Sequence, residues 1–228
     1  KRYPSKHLIR RLCFAYLFFL IIEAFIGASL VLLKHVALNQ SIYRGFSVSL
    51  HLINTFFLTT VAGSLTFFSR EKEIKLRKVS PLIKSFLLLG ILCFLFIGVS
   101  GAITALGDTL FPVTSIKEAI SRSQNPLEHI FVKLRIYHPL LATLLSGVIL
   151  SFCYFIGLKE NSKVEKLAYL TMVLIVFQIF CGYLNVYFHA PNILQIFHLL
   201  LAQFTWLSYS FFFSQIFLKV KEKSEVNP

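Results

Sequence analysis

Charge is scarce in this chain: 14% of its 228 residues are Asp, Glu, Lys or Arg, against 56% hydrophobic residues that include 25 Phe. An ordinary soluble domain carries about a quarter of its residues as charges, so that class is excluded. Apolar–polar alternation of the barrel type is absent too, which leaves helices as the way to satisfy a backbone in lipid. Cysteine is limited to Cys13, Cys93, Cys153 and Cys181, all inside apolar runs and without CxxC spacing. Neither a disulfide framework nor a thiolate metal site is expected from them, and small buried hydrophobes need no special role. HxxxH and HExxH spacings are missing, which counts against zinc. None of the seven prolines lies centrally in an apolar run, which counts against the broken helices of a transporter. Methionine occurs once, at Met172, and the chain starts at Lys1; a translated product starts with Met, so an upstream segment is expected to be missing from this sequence.

What is present is six apolar runs long enough to cross a bilayer, near 12–33, 46–68, 82–106, 136–158, 167–188 and 193–218. The expected fold is an all-α, polytopic transmembrane helix bundle with six spans. The net charge of +13 raises the question of nucleic acid, but its distribution answers it: 17 of the 23 Lys and Arg fall on one side of the spans and six on the other. By the positive-inside rule both termini are cytoplasmic, and the basic clusters are topology signals and lipid-headgroup contacts rather than a nucleic-acid site. The basic start leads into a span too long for the apolar region of a signal peptide.

The stretches "IIEAFIGASLVLL" and "VFQIFCGYLNVYF" echo each other, aligning Glu23 with Gln178, Gly27 with Gly182 and Val31 with Val186. Each precedes a short outer connection and a span with a histidine near its entry, His51 in one and His198 in the other, which suggests two related halves. The one long connection runs from Gly107 to Arg135. In it Asn125, Pro126 and Glu128 suit the start of a helix, which would begin outside the membrane and carry His138 down to the depth of His51 and His198.

Six of the seven histidines lie on the outer side, with only His7 opposite. His35, His129 and His189 sit in or beside connections. His51, His138 and His198 stand one to two turns inside apolar runs, where ionisable groups usually face the bundle interior and serve function; the plainer reading is a neutral imidazole bonded between helices. Among ligands haem fits best, since its iron takes neutral imidazoles and two helices can present them across a flat apolar ring. Arg135, three residues before His138, would share its helical face and could meet a propionate. Glu23 lies mid-span, either bonding a neighbouring helix or carrying protons. Gly27, Gly101 and Gly182 admit either close helix packing or close approach of a ring, packing being the commoner use.

The segments "IEAFIGASLVLL…SLHLINTFFL", "IGVSGAITALGDTLFP…LRIYHPLLATLLSG" and "FQIFCGYLNVYF…IFHLLLAQF", taken in that order, resemble the heme A synthase family of cytochrome oxidase assembly proteins. The resemblance implies two four-helix halves, each with a histidine pair facing a haem, one half holding haem b and the other the substrate. On that pattern residues 1–80 are the last two helices of an incomplete N-terminal half, on the substrate-haem side, and 81–228 a complete C-terminal half. His138 and His198 would ligate haem b, with Arg135 beside them, and His51 would bind the substrate haem O. The first histidine of the N-terminal half and a nearby acidic residue tied to oxidation have no counterpart here, so no catalytic residue is assigned. Outer-loop cysteines common in the family are missing as well. The implied activity is oxidation of the C8 methyl of haem O, through an alcohol and its hydrate, to the formyl of haem A. Implied partners are haem O, the haem O synthase, an electron partner and a second copy of the chain; the implied location is a prokaryotic plasma membrane with the haem sites towards the outside. Two rivals stand beside this: a b-type electron carrier, which calls for histidine pairs at both leaflets, and a small-solute transporter.

Overall fold

The computed structural model describes residues 7–69 and 74–220. The basic clusters that carry much of the charge asymmetry, at 1–6, 70–73 and 221–228, lie outside the described residues. Six helices are long and apolar enough to cross a bilayer. They are α1 (Leu8–Leu32), α2 (Ile42–Phe68), α3 (Pro81–Leu110), α6 (Tyr137–Phe152, continued by a π-turn Cys153–Gly157), α7 (Ser162–Tyr187) and α8 (Asn192–Phe217). The six expected spans are therefore all present, most of them extended by a few residues at one or both ends. Two short helices, α4 (Ile116–Gln124) and α5 (Ile130–Leu134), fill the long connection. Strands β1 (Ile74–Leu76) and β2 (Leu218–Val220) pair antiparallel, Ile74 opposite Val220, and close the other end. The ends are called here the cap end (α4 and α5) and the ribbon end (β1 and β2).

Helix starts follow from local chemistry. Ser41, Ser80, Ser115 and Asn161 each accept a backbone N–H with the side chain at the N-cap, and Pro81 stands in the first turn after Ser80. The outer ends of α1 and α7 stop in the same way. Lys34 and His189 take a left-handed backbone, φ 55° and 57°. The next residues, His35 and Ala190, donate back to the carbonyls of Leu30 and Asn185 at 2.8 and 2.7 Å. The echo read in the sequence thus extends from the apolar helices into their terminating turns.

The long connection departs from expectation in two ways. Asn125 does not start a helix: it closes α4, and its Oδ1 accepts from the Leu127 N–H in a turn. The next helix starts at His129, whose Nδ1 accepts from the Phe131 N–H at 3.3 Å. The second departure is that the connection does not simply lie outside the bundle. Phe131 and Val132 are buried, the Phe131 ring packs on Gly45 of α2, and its carbonyl packs on Gly107 of α3. A side chain at Gly107 would meet backbone rather than a movable group, so α5 requires glycine there.

The core sits towards the ribbon end. Leu87, Ile149, Cys153, Val164, Ala168, Ile175, Trp206, Tyr209 and Phe212 are buried there. The Tyr209 hydroxyl donates to the Leu87 carbonyl at 2.9 Å, and Trp206 Nε1 donates to the Phe56 carbonyl at 2.7 Å. Towards the cap end burial thins. No residue is buried between Phe94 and Leu106 on α3, before Ser146 on α6, or before Leu201 on α8.

Gly107→Ala would set a Cβ 2.8 Å from the Phe131 carbonyl oxygen, whereas nothing lies within 4 Å of one at Gly147. Thermal unfolding in detergent should show Gly107→Ala losing about 1–3 kcal/mol, and Gly147→Ala changing stability by less than about 0.5 kcal/mol.

Candidate functional site

The loosely packed band at the cap end holds the histidines of the spans. His138 stands in the first turn of α6, level with Gly101 of α3. A Cβ on Gly101 would lie 3.1 Å from His138 Cε1 and 3.4 Å from its Nε2. His198, near the start of α8, sits against Gly182 of α7 in the same manner, with 3.2 Å to its Cε1. At both glycines the close neighbour is an imidazole of the adjoining helix, which is the helix-packing use.

Each ring has a polar neighbour on the helix that cradles it. Ser100 Oγ lies 2.9 Å from His138 Nδ1. Gln178 Nε2 lies 3.2 Å from His198 Nε2 and also donates to the His198 carbonyl at 3.1 Å. His198 Nδ1 is buried without a hydrogen-bond partner. Gln178 is the residue aligned with Glu23 in the internal echo, and the structure repeats the relation: Glu23 of α1 lies 3.6 Å from His51 Nδ1 on α2. Gly27 breaks the parallel, with nothing within 4 Å of a Cβ there. His51 therefore belongs to a cluster on α1 and α2, while His138 packs on α3 and His198 on α7.

Arg135 is buried, 4% exposed, but not on the helix of His138. Arg135 and Ile136 join α5 to α6 in helical backbone (φ −59°, ψ −32° and φ −69°, ψ −20°), and Arg135, like His138, turns its side chain towards α3. The guanidinium donates through Nη1 to the Phe111 carbonyl at 3.0 Å and lies 3.6 Å from Asp108 Oδ1. Its Nε and Nη2 are buried and unpartnered. Burial pulls the Arg135 pKa below its ordinary value, partly offset by Asp108. Two unanswered donors on a buried cation suit an anionic oxygen pair.

The remaining cap-end histidines serve the connections. His35 Nδ1 lies 3.1 Å from Ser47 Oγ, His129 caps α5 and stacks on Phe111, and His189 is exposed in its turn. Among the described residues no three of His, Cys, Asp or Glu gather where a metal ion could bind directly. Ser100, Asp108, Asn54 and Thr55 were missed as site residues in the sequence. Two of them carried a signal: Asn54 and Thr55 follow His51 at the three- and four-residue spacing of one helical face.

The donor set fits a haem better than a bare metal ion. It offers imidazoles from two helices, glycine beside each, an unpartnered buried ring nitrogen and an arginine with spare donors.

A family model described as cytochrome oxidase assembly protein matches residues 1–210. Two curated proteins from two strains of Thermus thermophilus, both named protoheme IX farnesyltransferase, are each 38% identical over 213 residues. The alignment takes in 92% of this chain but 35% of either relative, so the chain spans about a third of the length of the curated relatives it matches. No solved structure matches the chain.

Asn54, 5% exposed, donates to the Phe19 carbonyl at 2.9 Å and to Glu23 Oε2 at 2.6 Å. Asn54→Leu leaves a carboxyl group and a carbonyl short of donors in an apolar setting. The expected loss is about 1–3 kcal/mol, measured as a lower thermal midpoint, with the absorbance of any haem held by α6 and α8 unchanged.

Proposed function

Because this chain belongs to the cytochrome oxidase assembly protein family, that of the heme A synthases, we propose that it holds haem b between α6 and α8 and oxidises haem O towards haem A for cytochrome oxidase. The observation that carries this reading is that two imidazoles, His138 and His198, are each seated on a glycine of the adjoining helix.

Bound there, haem b would supply one-electron redox chemistry through its iron. The chain's part is to hold and orient it. Ser100 engages His138 Nδ1, and since Gly101 lies beside Cε1 and Nε2, the ring would have to turn away from α3 for Nε2 to ligate. Gln178 keeps its bond to the His198 backbone when the ring turns to ligate, so α7 and α8 stay tied during loading. Arg135 offers Nε and Nη2 to a propionate, and Asp108 with the Phe111 carbonyl fixes the guanidinium for that task. Haem b thus goes to residues 81–228, and the substrate to the part of the chain that carries His51. His51 is half-exposed, 38% by side chain, and is reachable from lipid by a haem that enters edge-on.

The relatives' name supports the choice of substrate. A protoheme IX farnesyltransferase makes a farnesylated haem, which is the chemical description of haem O, and its apolar tail suits a site open to lipid. The same name makes the haem O synthase the natural partner, and an electron acceptor must also dock. The charge asymmetry supports a prokaryotic plasma-membrane location with the ribbon end cytoplasmic and the histidines towards the outer side.

The purified protein in detergent should show a Soret band. His138→Ala or His198→Ala should abolish the haem b share of it. His51→Ala should keep that share but stop the appearance of hydroxylated and formylated haem among extracted haems. A colourless protein, or equal haem loss in all three variants, would overturn the assignment. Haem retention with no modified haem under any condition would favour the electron carrier.

A further inference from the structure

We infer that Glu23 is a positioning residue for His51, holding the ring by its Nδ1 side so that Nε2 is the nitrogen presented to a haem iron. This rests on the reading of His51 as a ligand to the substrate haem and adds to it a residue with no role in that reading.

The carboxyl group is itself held. Asn54 Nδ2 donates to Oε2 at 2.6 Å, and the Thr55 hydroxyl donates to Oε1. Asn54 also donates to the Phe19 carbonyl one turn earlier on α1, so the amide spans backbone and carboxyl together. His51, Asn54 and Thr55 lie at the spacing of one helical face, all turned to the same point of α1. A carboxylate has about four acceptor positions, and the two donors leave room for a third.

His51 Nδ1 is buried and has no hydrogen-bond partner, with Glu23 Oε2 3.6 Å away. That distance is too long for a hydrogen bond and short enough for a small ring rotation to make one. With Nδ1–H given to Glu23, the lone pair resides on Nε2, on the far side of the ring from α1. The Asn54 and Thr55 clamp keeps the carboxyl group from following the ring, so the rotation of His51 is what closes the gap.

The three span histidines then differ in what backs them. Ser100 stands behind His138 and Gln178 behind His198, both neutral side chains. Glu23 alone offers a carboxyl group. An acceptor of that kind orients an imidazole and makes it a stronger donor to a metal. The His51 position is therefore built to grip iron differently from the α6–α8 pair.

The test uses the full chain in detergent with its first haem equivalent bound, titrated with a second equivalent of ferric protohaem and followed by Soret absorbance. Nitrogen-15 NMR of His51 in the haem-free protein provides a readout independent of activity. Glu23→Ala should weaken the second equivalent about tenfold and leave the first untouched, while Glu23→Gln, whose amide oxygen still accepts, should recover most of the affinity. The wild-type ring should carry its proton on Nδ1, and Glu23→Ala should shift it towards a tautomer mixture. Unchanged second-site affinity in Glu23→Ala alongside its loss in His51→Ala would overturn the role of Glu23 and leave His51 as ligand. Normal affinity in His51→Ala would overturn the ligand reading beneath it. Equal loss in Glu23→Ala and Glu23→Gln with an unchanged His51 tautomer would reduce Glu23 to a tie between helices.

Discussion

A polar side chain inside an apolar bundle must find its partner on a neighbouring helix, because lipid offers none. That constraint organises this protein. Tyr209 reaches the Leu87 carbonyl, Trp206 the Phe56 carbonyl and Thr60 hydroxyl, and Thr171 meets Ser208 at 2.8 Å. Each such bond contributes only about 1 kcal/mol or less. Leaving the group unanswered costs more, so the bonds select one packing among the many that oily helices would otherwise accept.

Packing is uneven along the bundle. The ribbon end is dense with aromatic side chains, while the cap end is held by the inward-turned α5, whose Phe131 meets glycines on α2 and α3. Between the two lies a band where burial thins and the imidazoles of His138 and His198 rest against Gly101 and Gly182 of the neighbouring helices. Of the ten buried polar side-chain atoms without partners among the described residues, Gln215 Nε2 lies towards the ribbon end, while those of His51, Arg135, Gln178 and His198 belong to the cap-end half.

The chain also reuses one motif with altered chemistry. The α1–α2 and α7–α8 hairpins share a helix end with the same left-handed turn and place an acidic or amide residue beside a histidine. In one the second residue of the echo, Gly182, cradles the imidazole; in the other Gly27 touches nothing within 4 Å. The two copies have the same scaffold and different surroundings.

The six spans, their order and the internal echo were legible in the sequence, because apolar length and helical spacing are local properties that lipid enforces strictly. The partners of Arg135 were not. Three residues before His138 marks a shared side of the chain, but Asp108 and the Phe111 carbonyl, which fix the guanidinium, lie more than twenty residues earlier. Ser100 and Asp108 stayed hidden for a related reason: a serine or aspartate near the end of a span has no periodic signature, and its meaning comes from a ring or guanidinium far along the chain. The sequence by itself determined which segments enter the membrane and which groups they carry into it. The tertiary structure alone decided which of those groups meet, since partner choice depends on helix rotation set by contacts distant in sequence.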